Sequence, residues 1–287
     1  MLEGIFKQCT KVCPPLEALS LSGMQTDYAD VLCWCASVKH LVLGGLRCIG
    51  APGTGWSQPT LALTTQLQTI ELQSFYGVSS LAAKALAQNC PYLRAIDIKD
   101  VHDIAEDALL VLVAQCSTDL RSLELSQYRY VTPNKLTVIA HRYTCLEKLR
   151  IAIANPTETS FHQLATRCTQ LVDLHITLRE PVQFGRSAPH LRNLQHLEVS
   201  YSRGNCDASV LACVTHCTQL RSLCVAQYGH CKEQRIVRAI QRNCPRLNKC
   251  NLNNCTDAVI RALVALQTER ARNKVYFEFY AYNFPNC

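Results

Sequence analysis

A chain of 287 residues, 48% hydrophobic, with 18 cysteines and a net charge of +7, is long enough to bury a sizeable core. Met1 to Pro15 carries Lys7, Gln8 and Lys11 where a secretory signal needs an apolar run, and no stretch approaches the roughly 18 apolar residues of a membrane span. These features point to a soluble protein of the cytoplasm or nucleus, whose cysteines are packed, reduced thiols rather than a disulfide framework.

In chain order, Leu2, Ile5, Phe6 and Cys9 space as a helix, a partial N-terminal repeat over residues 1–12. A unit Cys-x-x-Leu-x-x-Leu-x-Leu then recurs. It begins as Cys13, Leu16, Leu19, Leu21 and continues as Cys35, Val38, Leu41, Leu43 and as Cys90, Leu93, Ile96, Ile98. Later copies start at Cys168, Cys217 and Cys244. Four imperfect copies carry Thr64, a displaced Cys116, Tyr143 and Leu191 around the cysteine position. The first apolar position falls at 16, 38, 67, 93, 120, 146, 171, 194, 220 and 247, so the intervals run from 22 to 29 residues.

That period defines leucine-rich repeats. The Leu-x-Leu alternation has the period of a strand with one face inward. The linkers instead have helical spacing, as in Leu81, Ala85 and Leu86 before Cys90, or Ile236, Val237 and Ile240 before Cys244. One strand and one helix per repeat cannot bury their own apolar edge, so repeats stack. The predicted fold is therefore α/β, a leucine-rich-repeat solenoid (horseshoe) with parallel concave strands and outer helices. It forms a single domain over residues 1–287, of about ten to eleven repeats. Two linkers, Gly44 to Thr60 and Arg179 to Pro189, contain too many Gly and Pro residues for a helix and read as loops. From Val275 to Tyr282 apolar and polar residues alternate, which predicts a C-terminal capping strand within residues 270–287.

Cys90-Pro91-Tyr92-Leu93, Cys244-Pro245-Arg246-Leu247 and the run from Leu252 to Ile260, Leu-Asn-Asn-Cys-Thr-Asp-Ala-Val-Ile, resemble the cysteine-containing repeats of F-box/LRR proteins. The resemblance covers nearly the whole chain. It implies a protein-binding scaffold that recognises substrates for a cullin-type (SCF) ubiquitin ligase and takes part in ubiquitin-dependent protein degradation. The alternative is a standalone interaction scaffold or regulator outside that pathway. The first repeat begins by residue 13, which leaves no F-box in this chain, so a ligase adaptor is expected as a partner only where an F-box lies outside it.

On each strand the residues between the inward leucines must point out of the concave face. A protein substrate or partner is expected there, against Asp97, Lys99, Glu124, Lys148, Arg150, Asp173, His175, His196 and Glu198, with Tyr201 as an aromatic contact. Tyr128 and Tyr228, which also follow strands, read equally as packing. The charge is uneven: Arg203 to Cys287 holds 12 Lys and Arg against 5 Asp and Glu, the whole net excess. Arg235, Arg238 and Arg242 line one predicted helix face, a solvated surface or a nucleic-acid contact, but without the interleaved aromatics that stacking on bases uses.

Catalysis, cofactors and metal are not expected. No Cys-x-x-Cys pair of the zinc kind occurs, no orienting third group accompanies His216 next to Cys217 or His230 next to Cys231, and no phosphate loop or serine elbow is present.

Overall fold

The structure, a computed structural model, describes residues 16–22, 37–44, 66–73, 87–99, 114–126, 131–179, 182–201, 207–227, 234–253 and 255–280. The expected helix over 1–12, residues 45–60 of the first linker, and Tyr128 and Tyr228 lie outside those residues. Two compact units divide the chain, Met1–Arg129 and Tyr130–Cys287. The repeat spacing passes their boundary unchanged, with 26 residues from Leu120 to Leu146.

In the first unit five parallel strands follow one another in sequence order: β1 (Ala18–Ser22), β2 (His40–Gly44), β3 (Thr69–Gln73), β4 (Ala95–Lys99) and β5 (Ser122–Ser126). Each consensus leucine sits beside its counterpart, as Leu41, Ile70, Ile96 and Leu123 do, and these positions are buried. Such a file of apolar side chains stabilises the fold by about 1.5–3 kcal/mol per buried residue. Leu16, expected inside, is 46% exposed, because β1 has a described neighbouring strand on one side only.

In the second unit six strands run parallel in order: β6 (Lys148–Ile153), β7 (Asp173–Leu178), β8 (His196–Tyr201), β9 (Ser222–Gln227), β10 (Lys249–Leu252) and β11 (Glu278–Tyr280). Five helices accompany them: α1 (Pro133–Arg142), α2 (Glu158–Arg167), α3 (Asp207–His216), α4 (Gln234–Asn243) and α5 (Asp257–Arg272). Their starts follow from local chemistry. Pro133 opens α1 where its missing N–H costs nothing. Thr157 and Ser160 form a reciprocal capping box on α2, with the Ser160 N–H donating to Thr157 Oγ1 at 3.1 Å.

One hydrogen-bond device repeats in both units. The carbonyl before a strand accepts two N–H groups of the next repeat, as where Arg94 O takes Arg121 N at 2.8 Å and Ser122 N at 3.0 Å, and Glu147 O takes Val172 N at 2.8 Å and Asp173 N at 3.0 Å. This satisfies the turn's backbone donors and fixes strand register.

The repeat cysteine has an identifiable role. Cys168 ends α2, with its own N–H bonded to Leu164 O, while its thiol donates to Tyr143 O at 3.4 Å at the matching place one repeat earlier. The Cys244 thiol lies 3.3 Å from Val214 O, within α3, and 3.8 Å from Cys217 O, the matching place one repeat earlier. Cysteine thus supplies a small apolar body and a donor where both are needed. Burial pushes both thiols up to about 12, so they stay protonated. Eight of the ten cysteines among the described residues are buried.

The second Gly- and Pro-rich linker carries a single 3-10 turn, Ala188–His190, where its neighbours carry a helix. Phe184 fills the space, stacked on Phe161 of α2 with ring centroids 4.3 Å apart. The Ser209 hydroxyl on α3 donates to Val182 O and closes the linker on its other side.

At the C-terminal end α5 runs to Arg272, so the first residues of the expected capping segment are still helical. Lys274 then turns the chain at φ 58°, and β11 pairs with β10 through Lys249↔Glu278 and Cys250↔Phe279. Phe277 is buried, but Val275, expected inward by alternation, is 42% exposed, since the strand starts only at Glu278.

Candidate functional site

Opposite the buried leucines, each strand turns alternate side chains away from the core, and parallel register aligns them in rows about 4.8 Å apart. In the first unit the middle row is Glu71, Asp97 and Glu124. Lys99, at the end of β4, reaches back over all three: its Nζ lies 2.6 Å from Asp97 Oδ2, 3.4 Å from Glu71 Oε1 and 3.9 Å from Glu124 Oε1. Gln73 donates to the same Glu71 oxygen. Burial pushes the Asp97 carboxyl up, and the charges of Glu124 and Glu71 add to this, against the hydrogen bond from Lys99. The Lys99 ammonium is held above its usual range, chiefly by its hydrogen bond to Asp97. The row is a compact acidic surface around one cation.

In the second unit the middle row reads Arg150, His175, Glu198, Cys224, Asn251 and Tyr280. The row beside it reads Lys148, Asp173, His196, Ser222, Lys249 and Glu278. His175 Nδ1 stands 3.1 Å from Glu198 Oε2. This close contact with His175 holds the Glu198 carboxyl below the usual range against the pull of burial, with help from the charges of His175 and Arg150. Burial, followed by the charge of Glu198, pushes the adjacent Cys224 thiol up to about 11. At neutral pH that thiol is protonated and a poor nucleophile, so Cys224, His175 and Glu198 stand together without the activation a cysteine nucleophile requires.

Asp97, Lys99, Lys148, Arg150, Asp173, His175, His196 and Glu198 all occupy outward strand positions and are half-buried or exposed. Two residues differ from expectation. Glu124 has outward parity but is only 2% exposed, tucked beside the Lys99 cluster, and is no open contact. Tyr201 is also 2% exposed: β8 extends to six residues, and Tyr201 shares the inward side with Leu197 and Val199. It packs in the file formed by Ile153 and Leu178, so it belongs to the core rather than to a binding face. Among the described residues no group of three His, Cys, Asp or Glu could hold a metal ion, and no helix is long and apolar enough to cross a membrane.

No protein-family model matches the sequence, and no curated protein matches it. Among solved structures, the chain is similar to one in the octameric complex of Latrophilin 3, Unc5D and FLRT2 (LRR), at 15% identity and a TM-score of 0.57, over 94% of this chain and 78% of that one. It is also similar to an LRR protein of Leptospira interrogans, at 13% identity and a TM-score of 0.53, over 94% of this chain and 72% of that one. The likeness is one of fold, and together with the strand and helix repeats it makes this chain a leucine-rich-repeat solenoid.

Proposed function

We propose that the chain is a non-catalytic protein-binding scaffold, and that the partner held on the outward strand residues is a substrate of a cullin-type (SCF) ubiquitin ligase. The observation that supports binding is the pair of ionisable rows in the second unit. Lys148, Arg150, Asp173, His175, His196 and Glu198 present both signs within a few ångströms on rigid strands. Such a mosaic suits a folded polar surface or peptide, because complementary charges select partners and steer association. The ligase role rests on the likeness of Cys90-Pro91-Tyr92-Leu93 and Cys244-Pro245-Arg246-Leu247 to the repeats of F-box/LRR proteins.

The test is affinity purification of the tagged protein from cells with the proteasome inhibited, followed by quantitative mass spectrometry. A cullin adaptor and a ubiquitin-bearing partner are expected together. A stable partner recovered with no ligase subunit would remove the protein from the ubiquitin pathway and make it a free-standing scaffold.

A further inference from the structure

The outward side chains of β9 are small: Ser222, Cys224 and Ala226 are half-buried and end at the β or γ atom. Register sets His196 and Glu198 of β8 beside Ser222 and Cys224 on one side, and Lys249 and Asn251 of β10 on the other. Asn253 follows on β10, with its N–H bonded to Val225 O at 3.1 Å. The longer side chains therefore stand about 10 Å apart, two strand spacings, with a shallow trough along β9 between them. Charge stays at the margins: His196 and Glu198 on β8, Lys249 with Glu278 next to it on β11, and Arg221 just ahead of β9. The floor itself is uncharged at neutral pH, since burial pushes the Cys224 thiol up to about 11.

The asparagines say what fits there. Oδ1 of Asn251 and Oδ1 of Asn253 are each buried with no hydrogen-bond donor among the described residues. A buried acceptor left without a donor is costly, and two of them two residues apart on one strand call for a common cause. The terminal torsion of asparagine is soft, so either carboxamide can turn onto the trough. Each offers one acceptor and an NH2 donor, the same pair of functions as a peptide group. Their spacing, about 6.6 Å along the strand, is the distance between alternate residues of an extended chain. Side chains alone would be read by charges in the floor, and the floor has none.

We infer that this trough takes an extended segment of a partner protein, lying along β9 with alternate backbone amides on Asn251 and Asn253 and small uncharged side chains over Cys224 and Ala226. Main-chain hydrogen bonds supply the affinity and the narrow floor supplies the selection. The inference rests on the reading that outward strand residues hold the partner, and adds how that partner is held; it does not need the ligase.

The probe is a short linear peptide selected on the purified full chain from a phage-displayed random library and labelled with a fluorophore. Asn251→Leu with Asn253→Leu keeps side-chain size, removes both amides and weakens the peptide about tenfold or more. Ala226→Trp fills the trough, weakens it likewise, and serves as the reading if the double variant fails to fold. Methylating the peptide's backbone nitrogens one at a time costs about tenfold at two positions separated by one residue, and less than about twofold at the position between them. Lys148→Ala with Asp173→Ala, on β6 and β7, leaves the affinity within about twofold. All of these affinities are read without any ligase subunit, so they stand or fall apart from the ligase reading. The inference is overturned if no linear peptide is enriched, if both trough variants bind the peptide undiminished, or if methylation shows no alternation.

Discussion

Replacing Arg270 by alanine is expected to lower the unfolding free energy by about 2–4 kcal/mol, a large fraction of the stability of an ordinary domain. Arg270 lies on α5, is 7% exposed, and forms no ion pair among the described residues. Its guanidinium instead serves the backbone: Nη1 donates to Leu247 O, Nη2 donates to Cys244 O at 2.9 Å, and the Phe277 ring lies 4.6 Å below the charge. Cys244 stands at the C-terminal end of α4, where unpaired carbonyls carry partial negative charge, so the cation sits where the helix dipole favours it. Burial lowers the pKa of the group, but a guanidinium remains charged at any ordinary pH. Alanine takes the guanidinium donors from both carbonyls, of which Cys244 O keeps the Leu247 N–H at 3.1 Å, empties the volume beneath Phe277 and removes the cation from the ring. Arg270→Lys recovers part of the loss, since one ammonium cannot reproduce the planar fork. Urea unfolding followed by circular dichroism measures both variants, and a change below about 1 kcal/mol for alanine would show that the bonds contribute little.

Phe184→Ala is expected to cost about 3–5 kcal/mol, the range for emptying an aromatic site in a packed core. The linker that holds Phe184 has a 3-10 turn in place of a full helix, the Phe184 ring stacks on Phe161 there, and both rings are 1% exposed. Neighbouring repeats bury several side chains from a ten-residue helix at the same place, as α2 does with Phe161, Leu164 and Ala165. Little backbone is at hand to collapse into the hole, which places the cost high in the range. Val138→Ala on α1, where the side chain is 37% exposed, serves as the control and stays within about 0.5 kcal/mol.

These two sites also mark where sequence reading succeeds and fails. The Leu-x-Leu files are legible, because inward parity in a strand is a period of two and the repeat copies it again and again. Tyr201 was legible by the same rule: Ile153 and Leu178 occupy its place in the two preceding strands and are plainly apolar, and only the assumption that strands end after the consensus leucine sent the tyrosine outward. Glu124 was not legible, because its outward parity predicts exposure and its burial comes from contacts beyond its own strand, Lys99 at 3.9 Å among them, that no local pattern encodes. Arg270 was equally hidden. A charged residue in the last turn of a helix reads as a solvated cap, and only the packing of α5 on the loops before β10 turns it inward. Phe184 sat in a segment marked as a loop by Pro181 and Gly185, and punctuation of that kind says nothing about what fills the core beside it.

The central claim is that the outward strand residues hold the partner proposed above. It is tested most directly with the fourfold variant Lys148→Ala, Arg150→Ala, Asp173→Ala and Glu198→Ala, in a quantitative pull-down against the wild type, with unfolding measured on the same samples. The account predicts stability within about 1 kcal/mol of the wild type, because all four side chains stand on the outward side of β6, β7 and β8, and a loss of partner of about tenfold or more. A folded variant that recovers its partner undiminished would contradict it.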